Sequence, residues 1–137
     1  MKLIDDSYFE FYDGPTGPKG SSRKEHLEQV DAVSRTRYEF PDIVFFHPVN
    51  EGNIPVQYRS KLTEAGMLKG ISDFVILKPS GEYHGALIEM KRTNKSDSKV
   101  SPEQVRILRQ CREAGYFTAL AFGAESYWKA LLYYLER

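Results

Sequence analysis

Three short stretches, Ser72–Leu77, Gly85–Lys91 and Phe117–Phe122, are apolar along most of their length instead of alternating with polar residues. A strand of that kind has no face to give to water, so it belongs inside a sheet covered by helices on both sides. Pro79, Ser80, Gly81 and Glu82 supply a turn between the first two, which makes them an antiparallel hairpin. These strands set the fold class, and the rest of the chain must provide the covering layers.

The covering elements can be placed from their ends. Ser22 opens a helix to about Tyr38, with Leu27, Val30, Ala32 and Val33 as its apolar side; Ser22 and Glu25 have capping-box spacing. Ile43–His47 reads as a short strand rich in β-branched and aromatic residues. Tyr58 to about Ala65 reads as a helix stopped by Gly66. Ser101 caps a further helix with Pro102 in its first turn, and Gly115 ends it. Ser126–Leu135 is a final amphipathic helix. The expected order is α-β-α-β-β-α-β-α, a central mixed β-sheet flanked by helices in the α/β class. Residues 14–21, rich in glycine and proline, read as a loop. Residues 1–21 are therefore expected as an arm or extension, with contact to a partner and plain disorder both left open, and 22–137 as one domain.

Composition narrows the function. The 137 residues suffice for one core. No apolar run approaches the roughly 18 to 20 residues that a membrane span needs, so no membrane role is expected. The start turns acidic at Asp5 and Asp6, unlike a secretory signal. The lone Cys111 precludes an internal disulfide and a four-cysteine zinc site. Both points lead to the expectation of a cytoplasmic protein. Nineteen positive residues balance nineteen negative ones, which argues against nucleic-acid binding by bulk charge alone. The balance is uneven along the chain. Lys91 to Arg112 carries seven positive residues and two negative ones, whereas the first thirteen residues set Lys2 against Asp5, Asp6, Glu10 and Asp13. A basic stretch of that kind fits an anionic partner, and equally a solvated helix face.

Chemistry concentrates at one end of the hairpin. A turn centred on Gly81 sets Asp73 opposite Glu89, each eight residues away. Opposed residues share a face of the sheet with Cβ atoms about 5 Å apart, and Lys91, two residues past Glu89, shares it too. Two carboxylates on oily strands repel unless something positive neutralises them. Lys91 alone could do so as an internal salt bridge. A divalent cation also does, and Mg²⁺ held by a few carboxylates keeps waters that a phosphate oxygen can replace.

Gly70-Ile71-Ser72-Asp73, Leu87-Ile88-Glu89-Met90-Lys91, Ser101-Pro102-Glu103-Gln104 and Gly115-Tyr116 follow one another at intervals that resemble the virus-type replication-repair nuclease (VRR-NUC) domain, of the PD-(D/E)xK superfamily. Glu25-His26 with Glu28-Gln29, and His47-Pro48-Val49-Asn50-Glu51-Gly52, extend the likeness upstream, so that it covers roughly residues 22 to 137. The resemblance implies a restriction-endonuclease-like core. It implies Asp73 and Glu89 as metal-binding acids, Lys91 as the catalytic lysine, and Glu25 as the helix-borne acid that reaches the metal. It further implies Gln104 beside the site and the Met90 backbone carbonyl among the metal ligands. Small stand-alone members of the family, many from phages, are similar to Holliday junction resolvases, homodimers that cut branched DNA with Mg²⁺ or Mn²⁺.

Each assignment has a rival. Glu25 can serve the Ser22 cap, with Glu28 as the alternative helix acid, and Gln104 occupies the capping-box position after Ser101. His26, His47 and His84 are scattered and receive no metal. Asn50 sits at a turn, where such a residue usually serves its own backbone. Trp128, Tyr133 and Tyr134 read as core or dimer contacts, and Cys111 as packing. Lys95 and Lys99 in the loop after Lys91, with Arg106 and Arg109 on the next helix, are the residues expected on a DNA backbone. The leading expectation is a metal-dependent DNA endonuclease, structure-selective and homodimeric; a DNA-binding or assembly module that keeps the fold without activity is the alternative.

Overall fold

The computed structural model describes residues 1–14, 17–49 and 54–137. Among the described residues the chain forms six strands: β1 (Lys2–Ile4), β2 (Tyr8–Phe11), β3 (Phe45–Phe46), β4 (Phe74–Ile76), β5 (Ala86–Lys91) and β6 (Phe117–Phe122). Its four α-helices are α1 (Glu25–Glu39), α2 (Val56–Glu64), α3 (Pro102–Glu113) and α4 (Ala124–Leu135). The strands make one mixed sheet in the order β1-β2-β6-β5-β4-β3. The two longest apolar runs, β5 and β6, lie parallel at its centre, and every residue of both is buried.

Strand alternation sorts the core into two layers. Ala86, Ile88 and Met90 of β5 and Phe117, Ala119 and Ala121 of β6 join Ala32 of α1 and Trp128 and Leu131 of α4. Leu87, Leu120 and Phe122 point the other way, onto Leu108 of α3. Glu89 and Lys91 share the parity of Leu87, so they face the α3 side. The β4–β5 register pairs Phe74 with Ile88, Val75 with Leu87 and Ile76 with Ala86. Extended by one step, it sets Asp73 against Glu89, as the turn at Gly81 requires. Gly70, with φ of +89°, brings the chain to the start of α3 just before Asp73; a Cβ there would meet the Glu103 backbone at 3.0 Å.

The structure refines three expectations. The first is the arm or extension expected over residues 1–21, which contributes β1 and β2 to the sheet. β2 runs parallel to β6, pairing Phe9 with Ala119 and Phe11 with Ala121, and Tyr8 and Phe11 are buried. The free edge of β6 gives this segment a partner that nothing nearby in sequence announces. Thr118 reinforces the join by donating its hydroxyl to the Ser7 carbonyl at 2.7 Å. The second concerns α1, which starts at Glu25 with Lys24 as N-cap and no side-chain cap among the described residues. Ser22 does not cap it because its hydroxyl is donated to Asp97. Glu28, Ala32 and Thr36 form the buried stripe of α1, and Leu27 and Val30 stay exposed. The strand expected over Ile43–His47 shortens to Phe45–Phe46, and α2 lies outside both layers with all its residues exposed. No helix among the described residues is long and apolar enough to cross a membrane.

Candidate metal centre and active site

Three elements deliver one acid each to the same point. Asp73 enters from the approach to β4, Glu89 from the far end of β5, and Glu25 from the first residue of α1. One carboxylate oxygen from each lies within 4.8 Å of the other two. Asp73 is fixed from both sides: its Oδ2 accepts the Met90 N–H at 2.8 Å, and its carbonyl lies 2.8 Å from His47 Nδ1.

Glu89 is 2% exposed, and its two oxygens are treated differently. Oε1 accepts from Gln104 Nε2 at 3.0 Å and lies 3.7 Å from Lys91 Nζ. Oε2 is buried and finds no donor among the described residues. The Asp73 carboxylate lies beside that of Glu89, and the two can hydrogen-bond only if a proton sits between them. Burial, then Asp73, pushes the Glu89 carboxyl well above the ordinary carboxylate range. Burial, then Asp73, also raises Glu25, with Lys91 and Arg92 pulling the other way. One lysine therefore does not neutralise three acids, and a buried carboxylate oxygen is left over. A divalent cation among the three oxygens answers both deficits, so this donor set fits one.

Lys91 is held as a donor. The residue is 7% exposed, and its ammonium donates to Gln104 Oε1 at 3.2 Å and lies 3.7 Å from Glu89 Oε1. Gln104 completes the capping box of α3, its Oε1 accepting the Ser101 N–H at 3.0 Å while Ser101 Oγ accepts the Gln104 N–H. The cap and the site are thus one arrangement. The cap aims the amide, and the amide bridges Glu89 and Lys91.

Other expected residues lie elsewhere. Glu28 does not join the acids; it accepts the Ala124 N–H at the start of α4 at 2.9 Å and pairs with Arg23. Lys95 pairs with Glu10 and lies over the Tyr12 ring, and Arg109 donates to Ser7 Oγ and the Asp5 carbonyl, both at 2.9 Å. Lys99 and Arg106 are exposed, the latter 3.3 Å from Gln110 Oε1. Asn50 lies outside the described residues. Sequence reasoning gave His47 no role, although the antiparallel β3–β4 pairing brings it to Asp73. The signal that could have found it is its place just past a strand that borders β4.

The comparisons with known proteins concern family and fold. The family model described as "VRR-NUC domain" matches residues 57–125. That span contains Asp73, Glu89, Lys91 and Gln104, and Glu25 precedes it. A solved structure titled "VRR_NUC domain protein" superposes with a TM-score of 0.68 at 19% identity, covering 85% of this chain and 91% of that one. That likeness is one of fold. No curated protein matches the chain.

Proposed function

Because the chain belongs to the VRR-NUC domain family of nucleases, with a PD-(D/E)xK-like fold, we propose that it is a Mg²⁺- or Mn²⁺-dependent endodeoxyribonuclease. The observation that carries this reading is the convergence of Glu25, Asp73 and Glu89 within 4.8 Å, with the Lys91 ammonium 3.7 Å from Glu89. Glu25, Asp73, Glu89 and the Met90 carbonyl would hold the cation. Such an ion, when bound, polarises a phosphate oxygen and acidifies a water.

The remaining roles fall to the protein. Lys91, which donates to Gln104 and lies 3.7 Å from Glu89 Oε1, offers a further N–H to the charge that builds on phosphorus. Gln104 keeps that ammonium from swinging away. A water oxygen bonds to phosphorus in line as the P–O3′ bond breaks; the attacking water gives up a proton to solvent, the departing 3′-oxygen takes one from solvent, and a 5′-phosphate remains. Lys99 and Arg106, exposed on the α3 side, serve as contacts to the DNA backbone, with Lys95 and Arg109 at the border with the N-terminal strands. Branched DNA is the preferred substrate in this reading, and a homodimer the working form. Cutting two strands symmetrically takes two sites, and the described residues hold one such carboxylate cluster.

The test is cleavage of matched linear, flapped and four-way-junction DNA, with Mg²⁺, Mn²⁺ or chelator, by wild type and Lys91→Ala. Cleavage that needs metal and Lys91 supports the nuclease. Binding without cleavage in either metal leaves a DNA-binding module in its place.

A further inference from the structure

The third acid of the cluster is the one whose position needs explaining. Glu89 is locked into a central strand and Asp73 is bonded to it through the Met90 N–H, whereas Glu25 is the first residue of a helix without a side-chain cap among the described residues. First turns fray, and two nearby acids repel this one. The force that opposes both comes from the other side of the site. The chain leaving β5 turns back across residues 17–23 and grips them. Arg92 donates to the carbonyls of Ser22 and Arg23, the latter at 3.1 Å. Asn94, buried, donates to the Gly17 carbonyl at 3.0 Å and caps the 3₁₀ turn at Lys95–Asp97 by accepting the Ser96 N–H. The Asp97 carboxylate accepts the Gly20 N–H and the Ser22 hydroxyl.

We infer that this clasp, Arg92 and Asp97 above all, positions Glu25 for metal binding. The inference rests on Glu25 being a ligand, as proposed above. Its physical content is a short mechanical path. Glu89 and Lys91 lie on β5, Arg92 follows it directly, and Arg92 holds the carbonyls of Ser22 and Arg23, three and two residues before Glu25. The spacing between the strand acid and the helix acid is therefore set by β5 itself and does not depend on α1 being stable alone. It also gives the positive charge after Lys91 a use other than nucleic acid: the guanidinium of Arg92 is turned inward onto backbone. Residues that hold a ligand in place typically carry tenfold to hundredfold in metal affinity.

The experiment is calorimetric titration of the protein with Mn²⁺ alone, well below the melting temperature, on wild type, Glu25→Gln, Asp97→Ala, Asp97→Asn, Arg92→Ala and the Glu25→Gln/Asp97→Ala pair. Asp97→Ala and Arg92→Ala should weaken Mn²⁺ binding about tenfold, and Asp97→Asn, which keeps an acceptor, less. The decisive arm is the double variant: if the clasp acts through Glu25, Asp97→Ala adds little once Glu25 is gone. An unchanged Kd in Asp97→Asn, Asp97→Ala and Arg92→Ala, with Glu25→Gln weakened, overturns the clasp and leaves the metal site standing. Full additivity in the double variant overturns it as well, since a purely structural loss would act on any background. No binding by wild type, or wild-type binding by Glu25→Gln, sinks the assignment of Glu25 itself.

Discussion

Replacing Glu89 with glutamine should make the metal-free protein more stable and remove its response to a divalent cation. In wild type, one Glu89 oxygen is buried without a donor among the described residues, and the carboxylate faces Asp73 and Glu25 with Lys91 as its cation. A buried acceptor without a donor costs about 1–3 kcal/mol. With an effective dielectric of about 20, each like-charge contact near 5 Å adds roughly 3 kcal/mol, and the Lys91 contact returns about 4. Glutamine removes the charge, keeps an oxygen for Gln104 and turns an N–H₂ towards Asp73. Because the raised Glu89 carboxyl takes up a proton and so already relieves part of that cost in wild type, the net gain should be on the order of 2 kcal/mol, or roughly 5–10 °C in Tm for a domain of this size. A cation at about a hundred times its Kd adds about 2.7 kcal/mol to wild type and little to the variant, so the ranking reverses.

The pH dependence has a definite sign. A carboxyl raised in the folded state holds its proton where the unfolded chain has lost it, so its contribution is full below the ordinary range near pH ~4.3. It is lost as pH rises through the raised value. Metal-free wild type should therefore weaken from mild acid towards neutrality, and Glu89→Gln should weaken less, with Glu25 still contributing a slope. Scanning calorimetry in chelator and in Mn²⁺ between about pH 5 and 8 reads all of this. A variant less stable than wild type in chelator throughout that range, or equal protection of both by Mn²⁺, would refute the reasoning.

Other outcomes follow from the same contacts. Ser101→Ala removes the α3 cap alone and should lower stability by about 1 kcal/mol, whereas Gln104→Ala also releases Glu89 and Lys91 and should cut cleavage well beyond that loss; equal activities would make Gln104 a cap only. Arg106→Ala should reduce the salt slope of DNA binding by about one, measured by fluorescence anisotropy. Arg109→Ala should in addition lower Tm, because its guanidinium holds the turn at Asp5–Ser7. Phe11→Ala should cost about 3–5 kcal/mol in chemical denaturation; a neutral result would mean that the N-terminal strands are dispensable.

Those parts of the molecule that are fixed by neighbours in sequence could be read from it. The register of β4 on β5 follows from the turn at Gly81, and the start of α3 from Ser101, Pro102 and Gln104, because each is settled within a few residues. The convergence of Asp73, Glu89 and Lys91 inherits that clarity. β2 was not legible: it is only four residues long, the acidic residues around it look like a solvated tail, and its partner lies more than a hundred residues away. Ser22 misled for the opposite reason, since its local signal as a cap is good and a distant carboxylate takes the hydroxyl. Glu25 was legible as an acid of the first turn but not as distinct from Glu28. The choice depends on Ala124, which occupies Glu28 from another helix.

The place of β6 in the strand order also governs how the molecule can be made. β1 and β2 form one ribbon, β3, β4 and β5 another, and β6 is the strand that both ribbons touch. It is also the last strand among the described residues. Until Phe117–Phe122 is available, the sheet exists as two pieces with open edges, and a two-stranded ribbon such as the first is barely stable by itself. Assembly therefore waits on long-range closure at both flanks of one segment, which favours slow, all-or-none folding over stepwise growth from the N-terminus. A break in β6 would divide the molecule, where a break in an outer strand would only trim it.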